Sequence, residues 1–234
     1  MHKRSQKKFV KTLSIDNYNF IIVNEAPNII LTTRIGKDFS ALNNNEKEIF
    51  LKKNFGIKDL ISINQKHSEK IKGINTQGND CDGFYLKENG IAGMLSTADC
   101  IPLILWSDDV KEICGIHCGW RGMKDNIIEN FYNHTNKQSF QAYIGPHISQ
   151  EFYEVKKDFL KSFEKAGYSI ESFLINKDEK YFFSLRGFCE SQIYKKKCNI
   201  LNENSLCTYK KSKLFFSHRQ NPKKVSRNLC FTWL

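Results

Sequence analysis

Short apolar runs alternate with amphipathic stretches along this chain, a pattern typical of a mixed α+β protein. Eight apolar runs have the length of strands and are bounded by turn residues. They are residues 20–23, 29–33, 60–63, 91–95, 101–106, 113–117, 142–144 and 181–183. Further short strands or turns are predicted at 207–209, 215–217 and 229–233.

Four stretches show the spacing of helices. They are residues 46–54, which follow possible N-caps at 43–45 and stop at Gly56, and residues 123–136, 151–166 (closed by Gly167) and 187–197. No repeat, low-complexity run or linker separates them. We therefore expect one α+β catalytic domain over residues 1–234, with a flexible basic segment at 1–12.

The predicted strands 101–106 and 113–117 flank an acidic turn and should form a hairpin. Asp99 and Cys100 precede the first strand, and His117 ends the second. In a hairpin these two ends meet at the same end of the sheet. The sequence therefore predicts a carboxylate, a thiol and an imidazole side by side, next to Trp120 and Arg121.

Composition narrows the classes of protein. No apolar run approaches the roughly 20 residues that a membrane span needs, and no apolar signal region follows the basic start, so we expect a cytoplasmic protein. The net charge of +11 favours a solvated basic surface; phosphate-bearing ligands come second and nucleic acid last. The eight cysteines are expected to be reduced and mostly buried, with Cys100 as the exception.

His67, Cys100 and His117 each stand at a predicted strand end beside polar or glycine residues. Two imidazoles and a thiolate suit zinc, with a fourth position open for water as in catalytic zinc sites. Residue types alone also permit the opposite interpretation, a buried cysteine and two unrelated loop histidines.

Several motifs occur in a recognisable order. They are Gln65-Lys66-His67, Thr97-Ala98-Asp99-Cys100-Ile101-Pro102, His117-Cys118-Gly119-Trp120-Arg121-Gly122, Ile144-Gly145-Pro146-His147-Ile148, Cys207-Thr208-Tyr209 and Phe215-Phe216-Ser217-His218-Arg219. From Thr32 to the C-terminus the chain resembles the YfiH-type family, long labelled multicopper polyphenol oxidoreductase or laccase-like. The resemblance implies an α/β/β/α sandwich with mixed sheets and zinc ligands at His67, Cys100 and His117.

The same resemblance implies a zinc-dependent purine nucleoside phosphorylase that acts on adenosine, inosine, guanosine and methylthioadenosine, and that also deaminates adenosine. Its small-molecule partners would be purine nucleosides and phosphate. The chain departs from the family at three positions. The family commonly has Cys at His147, a second Arg at Gln220 and Gly at Ser226.

Roles can be suggested for the remaining polar residues. Asp99 is the nearest candidate for a proton shuttle, although a carboxylate that caps a turn is an equal alternative. Arg34, Arg121, Arg219 and Arg227 are candidates to hold phosphate, and Arg121 is favoured because glycines flank it near His117. Trp120 could stack on a purine or belong to the core. Cys207 is expected to serve packing.

Three other classes stay open. In a metal-free cysteine hydrolase or a peptidoglycan-precursor editing enzyme, Cys100 would be the nucleophile and His117 the base. A laccase-like copper oxidase is disfavoured because the chain has only 6 His for several copper centres. Nucleic-acid binding is suggested by charge alone. The sequence does not choose between a monomer and a small homo-oligomer.

Overall fold

The computed structural model of the chain describes residues 11–195, 197–201 and 206–234. The strands are β1 Lys11–Ile15, β2 Tyr18–Glu25, β3 Asn28–Gly36, β4 Asp59–Ser62, β5 Ile71–Lys72, β6 Gly83–Leu86, β7 Ile91–Thr97, β8 Ile101–Ser107, β9 Ile113–Cys118, β10 Ser139–Ile144, β11 Glu154–Val155, β12 Leu174–Lys177, β13 Lys180–Phe183, β14 Lys197–Ile200 and β15 Asn228–Trp233. The α-helices are α1 Asn44–Phe55, α2 Trp120–Lys124, α3 Ile127–His134, α4 Lys157–Lys165 and α5 Leu185–Ile193.

Two six-stranded sheets carry the fold. The first has the order β1-β2-β3-β15-β7-β4 and the second β14-β10-β8-β9-β6-β5, while β11-β13-β12 form a small third sheet. Most neighbours are antiparallel, but β4–β7, β10–β14 and β5–β6 are parallel, so both large sheets are mixed.

The hydrophobic residues form three layers, which stack the elements as helix, sheet, sheet, helix. One layer lies between the sheets and includes Leu95 and Cys230 from the first and Ile104 and Trp106 from the second. The outer face of the first sheet packs against α1. The outer face of the second packs against α3, α4 and α5, with Ile127, Phe131, Phe159 and Phe163 in that layer. The expected α/β/β/α sandwich and the covering role of these four side chains are confirmed.

Phe84 shows how closely the two sheets approach. A Cβ on Gly93 or Gly115 would lie 2.1 or 2.2 Å from the Phe84 ring. Glycine at both positions therefore makes the space into which this fully buried ring fits.

The predicted hairpin is present. β8 and β9 pair antiparallel, with Ile101 opposite Cys118 and Pro102 opposite His117. Cys100 and His117 therefore meet at one end of the second sheet. Helix α1 also agrees with its prediction, since Asn43 and Glu46 form a capping box and Gly56 ends the helix with φ of 69°.

The single helix expected over 123–136 is wrong. Helix α2 begins three residues earlier, at Trp120, and α3 begins only at Ile127. Asn126 between them adopts a left-handed conformation with φ of 71°, which ends the run of helical hydrogen bonds. Asparagine tolerates this conformation better than most residues. The helix can therefore break at Asn126 although the helical spacing of the apolar residues continues across this position.

The helix expected over 151–166 is also too long. Glu154 and Val155 pair with Phe182 and Tyr181 in the small sheet, and α4 covers only residues 157–165. The helix expected over 187–197 lies at 185–193 instead. Ser184 caps it by accepting a hydrogen bond from the Gly187 N–H, and residues 197–200 form a strand beside β10.

The prediction of a flexible segment at 1–12 falls largely on residues 1–10, which lie outside the described part of the chain. Lys11 and Thr12 belong to β1 and pair with Ile22 and Ile21. None of the described helices is both long enough and apolar enough to cross a membrane.

Candidate metal centre and substrate cavity

His67, Cys100 and His117 converge at one end of the two sheets. His67 follows β4, Cys100 lies between β7 and β8, and His117 is near the end of β9. One potential ligand atom from each residue lies within 4.8 Å of the other two. Cys100 Sγ lies 3.9 Å from His67 Nε2, and the two imidazole rings meet edge to face with centroids 4.8 Å apart.

The loop that carries His67 has an unusual backbone. His67 adopts a φ of 62°, which turns its side chain back toward Cys100. The backbone N–H groups of Lys66, His67 and Ser68 all donate to the carboxylate of Asp82, over 3.0, 2.8 and 2.7 Å. These three hydrogen bonds hold the loop in its left-handed turn.

His117 is oriented by the same carboxylate. Its Nδ1 lies 2.8 Å from Asp82 Oδ1, and both residues are buried. Asp82 accepts this hydrogen bond, so Nδ1 carries the proton and Nε2 is the ring nitrogen left for a ligand.

Gly119 lets the ligands approach one another. A Cβ at this position would lie 2.7 Å from Cδ2 of His67 and 3.4 Å from Cys100 Sγ. Any side chain here would therefore occupy space that the His67 ring uses.

Cys100, His117 and Asp82 change one another's ionisation. Burial opposes the charged thiolate, but the charge of His117 and hydrogen bonds from both imidazoles outweigh it and lower the pKa of Cys100 to about 6. Burial likewise opposes the imidazolium, yet the Cys100 charge and the Asp82 hydrogen bond raise the pKa of His117 to about 9. The Asp82 carboxyl is desolvated too, but its hydrogen bonds from His117 and Ser68 move its pKa below the usual range. Cys100 is therefore an ionised donor at neutral pH.

This donor set fits zinc. Ligand lengths of about 2.1 Å to nitrogen and 2.3 Å to sulfur place tetrahedral N and S ligands about 3.6 Å apart, close to the 3.9 Å between Cys100 and His67. Within residues 11–195, 197–201 and 206–234 this is the one group of three such donors found together. A single site, rather than several copper centres, is what these residues can build.

A cavity of about 660 Å³ opens beside the three donors. Five candidates from the sequence line it: Asp99, Trp120, Arg121, Arg219 and Arg227. His218, which precedes Arg219 in the chain, lines it as well. Tyr153 adds a further aromatic face. Three guanidinium groups outnumber the Asp99 carboxylate and the Cys100 thiolate, which gives the cavity a positive potential that favours anions.

Asp99 lines the cavity, but both of its carboxylate oxygens are already engaged. Oδ1 accepts from the Thr208 hydroxyl over 2.6 Å and Oδ2 from the backbone N–H of Arg219 over 2.7 Å. Asp99 therefore joins the corner before β8 to the C-terminal segment that brings Arg219 to the cavity.

The four candidate phosphate ligands do not share one place. Arg121, Arg219 and Arg227 line the cavity, whereas Arg34 is outside its lining. The Arg34 guanidinium donates to the Ser212 carbonyl over 2.7 Å and lies over the Phe216 ring. It therefore holds the C-terminal segment and does not face the donors.

The other arginines differ in how free they are. Arg219 donates to the Glu154 carbonyl and Arg227 to carbonyls of its own loop. The Arg121 guanidinium lies 4.4 Å from the centre of the Trp120 ring and has no hydrogen-bond partner among the described residues. Trp120 itself packs on Phe159 and Phe163, so it serves the core while one part faces the cavity.

Two residues marked by their sequence context, His147 and Cys207, are not part of the cavity lining. His147 is buried, and its Nδ1 donates to the Gly145 carbonyl over 2.8 Å. Cys207 accepts hydrogen bonds from Ser149 and from the Lys210 N–H.

Asp82 is the residue that the sequence analysis missed. It ends a polar turn-like stretch, and no nearby spacing marks it. The one signal was its position immediately before the apolar residues of β6, since a carboxylate at a strand end is a recurrent feature of functional sites.

Residues 28–234 match the family described as multi-copper polyphenol oxidoreductase laccase. The chain belongs to this laccase family. The family label names copper, but the donor group described above offers one mononuclear site in the described part of the chain.

Two relatives of the chain are named as purine nucleoside phosphorylases and not as laccases. It is 24% identical over 208 residues to "Purine nucleoside phosphorylase YfiH" of Escherichia coli, covering 87% of this chain and 85% of that protein. It is 32% identical over 149 residues to a purine nucleoside phosphorylase of Rickettsia prowazekii, covering 59% of this chain and 61% of the relative. The match therefore spans about three-fifths of the Rickettsia protein.

Solved structures show the same fold. The crystal structure of YlmD from Geobacillus stearothermophilus superposes with a TM-score of 0.75 at 18% identity, covering 96% of this chain and 98% of that one. At this identity the likeness concerns the laccase-family fold alone.

Proposed function

We propose that this chain is a zinc-dependent purine nucleoside phosphorylase that also deaminates adenosine. The observation that carries the proposal is the convergence of His67, Cys100 and His117 on a cavity that three arginines line. The Escherichia coli and Rickettsia relatives are named as purine nucleoside phosphorylases, which supports purine nucleosides as the substrate class. Inosine, guanosine and methylthioadenosine are proposed as further substrates.

Phosphorolysis needs phosphate held against the ribose. A phosphate oxygen attacks C1′, the bond from C1′ to the purine nitrogen breaks, and the base leaves with the electron pair and takes up a proton. Arg121, Arg219 and Arg227 are placed to hold the phosphate because guanidinium binds phosphate oxygens bidentately. Arg121 is the best candidate since its guanidinium has no other hydrogen bond to satisfy among the described residues.

The base needs an apolar, aromatic surface. Trp120 and Tyr153 both line the cavity, and the guanidinium groups of Arg121 and Arg219 lie over their rings. A purine can stack on either ring when its guanidinium moves from that face to the phosphate. This arrangement fits a phosphorylase that accepts several purines.

Deamination replaces the C6 amino group with water and releases ammonia. His67, Cys100 and His117 would hold the zinc, which would supply a Lewis acid for the activation of water at neutral pH. Asp99 is the one carboxylate in the cavity lining. As the proton carrier it must exchange one of its two present hydrogen bonds for one to substrate or water.

We further propose that residues 1–234 act as one catalytic domain in the cytoplasm. Partners other than nucleosides and phosphate are not required by this site, and a monomer or small homo-oligomer is expected.

The test is product analysis with zinc-loaded protein and adenosine. Adenine and ribose 1-phosphate that form only with added phosphate identify phosphorolysis, and inosine identifies deamination. Neither product, from a preparation with one zinc per chain, would contradict the proposal. Copper at several equivalents per chain would favour the oxidase instead.

A cysteine hydrolase is the second candidate, and one observation favours it. His117 lies between the Cys100 thiol and the Asp82 carboxylate, an order of nucleophile, base and orienting acid known from cysteine hydrolases. In that chemistry His67 has no part, although its strained backbone brings its ring to Cys100.

Substitution of the two ligands separates these candidates. In the zinc enzyme, His67→Ala and Cys100→Ser lose zinc and nucleoside turnover together, and bound zinc protects Cys100 from iodoacetamide. If His67→Ala keeps its activity while iodoacetamide rapidly inactivates the native protein, the hydrolase is correct and the zinc enzyme is wrong.

A further inference from the structure

The carboxylate of Asp82 contacts two separate ligand-bearing segments. Its Oδ1 accepts from the His67 N–H and from His117 Nδ1, each over 2.8 Å. Its Oδ2 accepts from the N–H groups of Lys66 and Ser68 and from the Ser68 hydroxyl, over 3.0, 2.7 and 2.8 Å. Five donors therefore converge on one fully buried carboxylate.

We propose that Asp82 is the positioning residue of the metal centre, which sets His67 and His117 for metal binding at the same time. This inference rests on the proposed zinc site, but not on the reaction that the site performs. Asp82 is not itself a ligand, because its two oxygens already accept from the five donors and it is not part of the group formed by His67, Cys100 and His117.

For His117 the carboxylate selects the ring nitrogen that binds the metal. Asp82 has no proton to give, so Nδ1 must donate, and in the neutral imidazole that binds a metal only Nε2 carries a free electron pair. A carboxylate behind a metal-binding imidazole fixes the ring and makes it a better ligand.

For His67 the carboxylate holds the backbone. A left-handed conformation costs a residue with a side chain about 1–2 kcal/mol, and it persists only where the surroundings determine it. Here three consecutive backbone N–H groups donate to the Asp82 carboxylate, and these hydrogen bonds stabilise the left-handed conformation of His67. Without them the loop is free to return to an extended conformation, which turns the His67 ring away from Cys100.

A local structural role does not explain these contacts. An aspartate that caps a turn accepts from residues two or three positions ahead in its own turn. The donors to Asp82 lie 14 to 16 positions before it and 35 positions after it. The carboxylate therefore connects the His67 loop to β9, and the two ligands are set by one group.

Asp82→Asn is the informative change. The amide keeps the size of the carboxylate but presents one acceptor oxygen and one NH₂ group. If the NH₂ faces the His67 loop, it opposes the N–H groups of Lys66 and Ser68. If it faces His117, the ring must accept at Nδ1 and carry its proton at Nε2, where it no longer binds a metal.

The measurement is zinc affinity, taken with zinc ion alone against a chromophoric chelator. We expect Asp82→Asn to weaken zinc binding by roughly 10–100-fold. The matched control is Phe140→Leu, which removes packing at a fully buried position opposite Ser107, at the far end of β8 from Cys100. This variant should be less stable and yet keep the zinc affinity of the wild type.

A spectroscopic readout covers the case in which Asp82→Asn does not fold. In zinc-loaded wild-type protein, the ¹⁵N shifts of His117 should show a protonated Nδ1 and a metal-bound Nε2. The opposite assignment, or equal zinc affinity in Asp82→Asn and wild type, would overturn the proposal, as would an equal loss in Phe140→Leu. Wild-type protein that binds no zinc removes the proposed function as well. Weakened zinc binding in Asp82→Asn, together with a wild type that turns over no nucleoside, supports Asp82 and removes only the reaction.

Discussion

Replacement of Gly119 by alanine tests how little space the metal centre leaves. The new Cβ would lie 2.7 Å from Cδ2 of His67, where ordinary contact begins at 3.4 Å, so the ring must move by about 0.7 Å. A zinc ligand tolerates about 0.2 Å of displacement. The His67 ring therefore has to leave its position, and a zinc ion at the proposed site would keep only two of its three protein ligands.

We expect Gly119→Ala to weaken zinc binding at least about 100-fold, which corresponds to about 2.8 kcal/mol. The metal-free fold should hardly change, because Gly119 has φ of −77° and ψ of 154°, which alanine adopts without strain. Alanine at such a position gains about 0.4–1 kcal/mol from the restricted unfolded chain. Thermal unfolding in a chelator should therefore differ from wild type by no more than about 1 kcal/mol, or a few degrees.

The control is Gly78→Ala. Its Cβ would meet only Thr76 Oγ1, at 3.4 Å, in an exposed loop away from the donors. Zinc affinity should stay at the wild-type value. If Gly119→Ala binds zinc as tightly as wild type does, His67 is not a ligand and the metal centre as described here is wrong.

Two further predictions concern the cavity and its support. Arg121→Gln should raise the KM for phosphate about 10–100-fold in steady-state phosphorolysis. Arg34→Gln is the control and should change this KM less than about 2-fold, because Arg34 does not line the cavity. Equal effects of the two substitutions would mean that phosphate binds elsewhere. Burial lowers the pKa of His147 to about 4, below its value of about 6.5 in the unfolded chain, so the unfolded state binds more protons between these values. The free energy of unfolding should therefore fall by about 2–3 kcal/mol between pH 6.5 and pH 4.5. Urea unfolding at pH 7 and 4.5 should show this loss in the wild type but not in His147→Asn. The same loss in both proteins would contradict the prediction.

The sequence predicted the hairpin and the convergence of Cys100 with His117 because both follow from local information. Two apolar runs on either side of a short acidic turn leave one antiparallel register open, with Ile101 opposite Cys118. Once this register is set, Cys100 and His117 must lie at the same end of the hairpin. His67 was also a candidate from its position after a predicted strand, but the family resemblance was needed to join it to the other two, since its path from β4 to the site depends on tertiary contacts.

The helix boundaries failed where tertiary contacts override periodicity. The apolar spacing of residues 151–166 is helical throughout, yet the backbone of Glu154 and Val155 pairs with β13. Asn126 interrupts a second helical pattern without any change in the spacing of Ile127, Ile128 and Phe131. Hydrophobic period reports which face is buried, and that part was confirmed, but it does not report where hydrogen bonds pass from a helix to a sheet.

Arg34 shows the same limit for charged residues. A sequence indicates that a guanidinium can bind phosphate, but the carbonyl of Ser212, 178 positions away, decides where this one points. Arg219 and Arg227 reach the cavity on the C-terminal segment that Asp99 anchors through Thr208 and the Arg219 N–H, whereas Arg121 reaches it on α2.

The parts of the site that sequence reasoning found are the donors, and the parts that it missed are the residues that place them. A histidine or cysteine is conspicuous because of its chemistry, whereas Asp82 is one of many aspartates in the chain until its five donors are seen. Gly119 was visible as a glycine but not as a space that the His67 ring fills. Since a metal ligand must be held within a few tenths of an ångström, these two residues should affect zinc affinity nearly as much as the ligands do. The proposed metal centre would thus be specified by five positions along the chain, and two of them would donate nothing to the metal.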